Sequence, residues 1–139
     1  MTRSEPMTRT RVLVVDDHAT NLRLITGVLE SQGFAHLTAD NGEAALSLLE
    51  QETFDLVLLD IQMPGLSGSE VAKRIRANPA TQDLKLIAVT ALAMPGDREE
   101  ILHAGFNGYV AKPFKIPELL EVVRTVLEIS ESRAPSSNA

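Results

Sequence analysis

Four short apolar runs in this chain end on residues that carry chemistry, and segments with helical spacing separate them. Residues 12–15 run into Asp16 and Asp17, 56–59 into Asp60, 86–89 into Thr90, and 109–111 into Lys112. Their Val, Ile and Leu content is that of parallel strands buried on both faces. Strands so arranged bring their carboxyl ends to one edge of the sheet, where three carboxylates, a hydroxyl and an ammonium would converge. Clustered carboxylates repel one another unless a cation or a shifted pKa relieves them. The pattern therefore predicts a hard, oxygen-seeking divalent ion and phosphate chemistry.

The rest of the chain fits that arrangement. Residues 11–15 read as a first strand, and 21–30 as a helix with Leu22, Ile25, Val28 and Leu29 at core spacing, ended by Gly33. A weaker strand follows at 35–39, then a helix opened by Asn41-Gly42 and running through Glu50. Residues 54–59 form the clearest strand, and after Pro64, Gly65 and Gly68 a helix spans about 70–77, stopped before Pro79. A strand at 84–89, a helix at about 95–104, a strand at 109–111 and a helix at 117–129 complete the series. Five strands alternating with five helices predict an α/β doubly wound, flavodoxin-like parallel sheet. The order 2-1-3-4-5 puts the second strand, which ends in ordinary turn residues, at an edge. Ligands then bind outside the carboxyl ends of strands one and three, where the winding reverses.

Composition excludes several classes. A formal net charge of −6 argues against a nucleic-acid surface, which needs clustered Lys and Arg. The chain has no cysteine, hence no disulfide framework or thiolate metal site. No apolar run reaches the length of a membrane span and residues 1–10 lack a secretory core, so a cytoplasmic protein without membrane insertion is expected. At 139 residues one domain is expected, at 10–130. A disordered start at 1–9, with Met1 or Met7 as the initiator, and a disordered Ser- and Pro-rich tail at 131–139 are expected to flank it.

The motifs Val-Leu-Val-Val-Asp16-Asp17, Leu-Leu-Asp60-Ile-Gln-Met-Pro64-Gly65, Ala-Val-Thr90-Ala91 and Tyr109-Val-Ala-Lys112-Pro113-Phe occur in that order over about residues 10–128. Thr90 lies thirty residues and Lys112 fifty-two residues beyond Asp60. On these motifs the chain resembles a response regulator receiver domain, the phospho-acceptor module of two-component signalling. The resemblance implies that Asp60 accepts a phosphoryl group from a phosphohistidine as an acyl phosphate, with catalysis limited to that acceptance and its hydrolysis. It implies Mg²⁺ as cofactor, held by Asp16, Asp17, Asp60 and the backbone carbonyl of Gln62. Lys112 and Thr90 would bind phosphoryl oxygens, and a cis Lys112–Pro113 peptide is expected. Thr90, Ala91 and Tyr109 would form a switch in which the aromatic ring turns inward. Gln62 and Leu92 hold positions that tune the acyl phosphate's lifetime, and Leu92 cannot align a water. His18 is expected to face solvent at a helix start, and His36 and His103 are read as structural or solvated.

The expected partners are a histidine kinase or histidine phosphotransfer protein, docking on the first helix around Leu22, Ile25 and Thr26, and a downstream protein on the face formed by about 95–129. With no room for an effector after residue 129, output is expected to lie in another molecule. The alternative is the receiver of a hybrid histidine kinase, or a phosphorelay intermediate. Two other classes fit less well. A haloacid-dehalogenase-like phosphatase needs a second Asp two residues after the first, where this chain has His18. A flavodoxin-like cofactor binder needs a phosphate-binding turn where Asp16 and Asp17 would repel the ligand.

Overall fold

A computed structural model describes residues 10–91 and 95–133, with no account of the side chains of 95 and 129–133. Five strands, β1 (Arg11–Val15), β2 (Ala35–Ala39), β3 (Leu56–Asp60), β4 (Lys85–Thr90) and β5 (Gly108–Ala111), alternate with five helices. These are α1 (Ala19–Ser31), α2 (Gly42–Gln51), α3 (Gly68–Ala77), α4 (Pro95–His103) and α5 (Ile116–Arg133). The sheet is parallel throughout, in the order β2-β1-β3-β4-β5.

The two-residue period of a strand divides each apolar run between two cores. Val12, Val14, Leu56, Leu58, Ile87 and Val89 face α1 and α5, where Ile25, Leu29, Leu119 and Val123 close over them. Leu13, Val15, Val57, Leu59, Leu86 and Ala88 face the opposite layer, covered by Ala45, Val71, Ile75 and Ile101 of α2, α3 and α4. Every residue of β3 and β4 is buried, which is why 56–59 and 86–89 within them read as unbroken apolar runs.

Local chemistry sets the ends of the helices. Asn41 caps α2 by accepting from the Ala44 amide at 2.8 Å, and Ser67 caps α3 by accepting from the Glu70 amide at 3.2 Å. Gly33, at φ 82°, takes the left-handed turn that ends α1, with the Phe34 amide donating back to Leu29. Gly68 is needed for space: a Cβ there would sit 2.2 Å from the carbonyl oxygen of Asp60.

Two expectations require correction. Ile25 is 1% exposed, so it belongs to the core and not to a docking face; the same helical spacing that makes it a core residue excludes it from the surface. The exposed large apolar residue of α1 is Leu24. The last helix also outruns its expected end at residue 129 and carries 131–133, the start of the expected tail. Glu131, Ser132 and Arg133 all tolerate a helix, and the stop signal, Pro135, comes later. Smaller shifts of one or two residues occur at other ends: β3 starts at Leu56 rather than 54, and α3 at Gly68. The expected disorder at 1–9 and in the rest of the tail, and the position of Leu92, lie outside the described residues. Among the described residues no helix is long and apolar enough to cross a membrane.

Candidate functional site

Strand register assembles the site. Val15 pairs with Leu59, so the next residues, Asp16 and Asp60, stand side by side at the strand ends where the winding reverses. Asp60 pairs with Val89, and Thr90 with Ala111. Thr90 and Lys112 therefore stand progressively further along the same edge, and the Lys112 amide donates to the Thr90 carbonyl at 2.8 Å. The sheet thus brings together four residues from positions 16 to 112.

Their geometry is that of a shared anion cluster with one strong cation. Lys112 Nζ lies 3.3 Å from Asp16 Oδ2 and 3.3 Å from Asp60 Oδ2, bridging the two carboxylates. Asp16 and Asp60 are 1% and 2% exposed, and Thr90 is fully buried. The Gln62 amide donates to Asp60 Oδ1 at 3.0 Å, while the His18 amide donates to Asp16 Oδ1 at 2.8 Å. Asn21 reaches Asp16 Oδ2 at 3.3 Å from the first turn of α1. The Lys112–Pro113 peptide is cis.

Burial raises the pKa of Asp60 above the ordinary carboxylate range. The Gln62 amide and the Lys112 charge oppose the rise, and the charge of Asp16 adds to it. The result is a poorly hydrated, more basic carboxylate. Asp17 supplies the third acid. Its Oδ1 atom is buried and accepts no hydrogen bond; the His18 imidazole approaches to 3.2 Å without the alignment of one.

Ligand atoms of Asp16, Asp17, His18 and Asp60 all lie within 4.8 Å of one another. A cation fits these residues on two grounds. Three carboxylates cluster where Lys112 pairs with only two of them, and a buried Asp17 oxygen has coordinating capacity that no hydrogen bond uses.

The remaining sequence candidates fall around this cluster. Gln62 is exposed and touches the site through its backbone. Ala91 is exposed beside Thr90. Tyr109 is half-buried on β5, packed against the core under α2, α3 and α4. His18 is exposed, as expected, yet its ring Nδ1 turns to both acids, at 3.3 Å from Asp16 and 3.2 Å from Asp17. Sequence reasoning missed that contact, and it missed Asn21. The available signal was position: residues two and five beyond Asp16 enter a helix whose first turn folds back over the strand end. It also missed Arg98, whose guanidinium bonds the hydroxyl of Tyr109.

Comparison with known proteins agrees with the geometry. The chain matches the response regulator receiver domain family over residues 12–124. It is 36% identical over 116 residues to the polar-differentiation response regulator DivK of Brucella anthropi, covering 84% of this chain and 94% of DivK. Among solved structures, chemotaxis response regulator CheY4 of Vibrio cholerae superposes with a TM-score of 0.82 at 28% identity, over 86% of this chain and 99% of that one. The receiver domain of a Pseudomonas aeruginosa sensor histidine kinase, with magnesium coordinated in its active-site cleft, superposes with a TM-score of 0.80 at 34% identity, over 87% and 99%. Motif order, sheet topology, the acidic edge and these relatives lead to one conclusion: the chain belongs to the response regulator receiver domain family, the receivers of two-component signalling.

Proposed function

We propose that this chain is a stand-alone response regulator in which Asp60 accepts a phosphoryl group from a phosphohistidine on a histidine kinase or histidine phosphotransfer protein. The observation that carries the reading is the buried Asp60 carboxylate, bonded to Lys112 at 3.3 Å and clustered with Asp16 and Asp17. One Asp60 oxygen forms the new bond to phosphorus as the donor's phosphorus–nitrogen bond breaks. The bonding pair returns to the imidazole nitrogen, and an acyl phosphate remains. Poor hydration favours Asp60 as the nucleophile. Lys112, shared between Asp16 and Asp60 before transfer, moves its ammonium to a phosphoryl oxygen, and the Thr90 hydroxyl donates to another.

Asp17 and Asp60, with the Gln62 carbonyl, would hold Mg²⁺ directly, and Asp16 would do so mainly through water. When bound, the ion offsets the repulsion between an anionic carboxylate and an anionic phosphoryl group. The same residues describe a domain spanning about 10–130, and a cytoplasmic location belongs to the same proposal.

Two surfaces follow. The donor docks on α1, where Leu24 is 44% exposed beside half-buried Leu22 and Thr26. Output contacts use α4, β5 and α5, where Leu102 and Ile116 are exposed. The stand-alone reading is supported by similarity along 94% of DivK, a response regulator. A specific observation also favours a second reading, the receiver of a hybrid kinase or a phosphorelay intermediate: a kinase receiver shares 34% identity.

Phosphotransfer profiling against the histidine kinases and phosphotransfer proteins of the source organism tests both readings. Wild type is expected to take label from a small set of donors, and Asp60→Asn from none. Onward transfer to a histidine phosphotransfer protein would favour the second reading. Equal labelling of both variants would remove the phospho-acceptor role.

A further inference from the structure

Arg98, on the exposed face of α4, makes a contact that neither the phospho-acceptor site nor the core requires. Its Nε and one terminal nitrogen donate to the Tyr109 hydroxyl at 3.1 and 2.8 Å, and the guanidinium carbon lies 5.3 Å from the ring centroid. The ring thus receives charge-assisted hydrogen bonds and a cation–π contact from one side chain. This contact ties β5, the edge strand of the sheet, to α4.

Register gives the contact its consequence. Tyr109 pairs with Ala88, and Thr90 lies two residues further along β4, so side chains 88, 90 and 109 project from the same face. Between them on that face stands Ala88, whose side chain is a single methyl group. A ring turned from α4 towards Thr90 carries its hydroxyl away from Arg98, so the two hydrogen bonds would be given up as it turns.

We infer that Arg98 is a latch: it holds Tyr109 in its outward position and thereby sets how readily the phosphorylated arrangement forms. The inference rests on the phospho-acceptor reading of Asp60. Arg98 is a positioning residue, acting on the site only through the ring. A contact present in one of two states biases the equilibrium by its full strength, and the apparent affinity for any ligand that prefers the other state falls accordingly.

The composition supplies the reporter. Tyr109 is the only tyrosine, so ring-labelled tyrosine gives one set of NMR signals for one site. The full chain is titrated with beryllofluoride, a non-covalent phosphoryl mimic, in the presence of Mg²⁺, and initial rates of acyl phosphate formation from acetyl phosphate are measured by intact mass. Arg98→Ala is expected to lower the beryllofluoride midpoint and raise the rate by about threefold. Its Tyr109 signals without ligand should move along the line joining the free and saturated wild-type spectra. Arg98→Lys, which retains a donor and the charge, should fall between the two.

In a Tyr109→Ala background, Arg98→Ala should leave the rate unchanged, since the path through the ring is gone. A lower melting temperature with midpoint, rate and ring signals unchanged would show a structural contact and overturn the latch. An effect that persists without the ring would overturn it equally. If wild type itself ignores both reagents, the phospho-acceptor reading fails and the latch with it; a responsive wild type with an indistinguishable Arg98→Ala sinks the latch alone.

Discussion

Asp60 keeps a carboxylate at 2% exposure, and its proton affinity is raised chiefly because burial strips water from the charge. A group whose pKa is higher folded than unfolded favours the fold in its protonated form. Its contribution is fully present below the unfolded pKa and is lost as pH rises through the folded one. At pH 7 the charge therefore opposes folding. In metal-free buffer Asp60→Asn should be more stable than wild type at pH 7 by about 1 kcal/mol, raising Tm by about 4 °C, with the gap closing below the ordinary carboxylate pKa. Thermal melts of both proteins at pH 7 and at about pH 3, below the ordinary carboxylate pKa, check this; a less stable Asp60→Asn at pH 7 would contradict it. Leu92 carries a second residue-scale prediction. An aliphatic side chain two residues beyond Thr90 can neither orient nor activate a water, so the acyl phosphate should decay slowly. Leu92→Glu or Leu92→Asn should shorten the lifetime, measured by loss of label from purified protein with Mg²⁺ present. Both predictions concern residues whose types were legible in the sequence. The raised proton affinity of Asp60 was not, because burial is a property of the assembled sheet.

The elements explain which parts of the site could be read in advance. Strand ends carrying Asp16, Asp60, Thr90 and Lys112 were legible because apolar runs buried on both faces leave a plain pattern, and parallel register does the rest. Contacts between side chains of different elements were not: the Arg98 bond to Tyr109 spans eleven residues and two elements, and no periodicity encodes it. The error at Ile25 came from reading one face of α1 as two. Gly68 shows an element fixing the site through backbone alone. The first turn of α3 lies against the carbonyl of Asp60, and the Gly68 amide donates to Ile61 at 2.9 Å. A Cβ at 2.2 Å from that carbonyl and 2.7 Å from Ile61 Cα meets rigid main chain, so α3 must back away and the Asp60 carboxylate must move with its strand end. Gly68→Ala should destabilise the protein by about 2 kcal/mol and slow labelling of Asp60. Ser67→Ala, which removes only the cap of the same helix, should cost about 1 kcal/mol and leave the labelling rate unchanged. Urea denaturation and acetyl phosphate labelling of the two variants separate the effects. Equal labelling rates would show that the close approach does not position Asp60.

At the scale of the whole molecule, the acidic edge links ion binding to folding. Asp16 and Asp60 stand at the ends of strands that pair with each other, but they are 44 residues apart in the chain, so the unfolded polypeptide holds no comparable cluster. A ligand that binds only the folded form stabilises it by RT ln(1 + [L]/Kd), about 2.7 kcal/mol at a hundredfold excess over Kd and about 1.4 kcal/mol more for each further tenfold. The net charge of −6 adds a nonspecific response to any cation, which ionic strength screens and site binding does not. Mg²⁺ titrated at constant ionic strength should therefore raise Tm in proportion to the logarithm of its concentration, with Na⁺ at equal ionic strength giving no such slope. Asp17→Asn should abolish the slope while leaving the fold intact, because Asp17 Oδ1 makes no hydrogen bond that the fold would lose. Asp16→Asn should weaken the slope and also destabilise the ion-free protein, since Asp16 anchors Lys112, the His18 amide and Asn21. If Asp17→Asn keeps the full slope, the ion sits elsewhere on the acidic surface, and the assignment of Asp17 as a direct ligand is wrong.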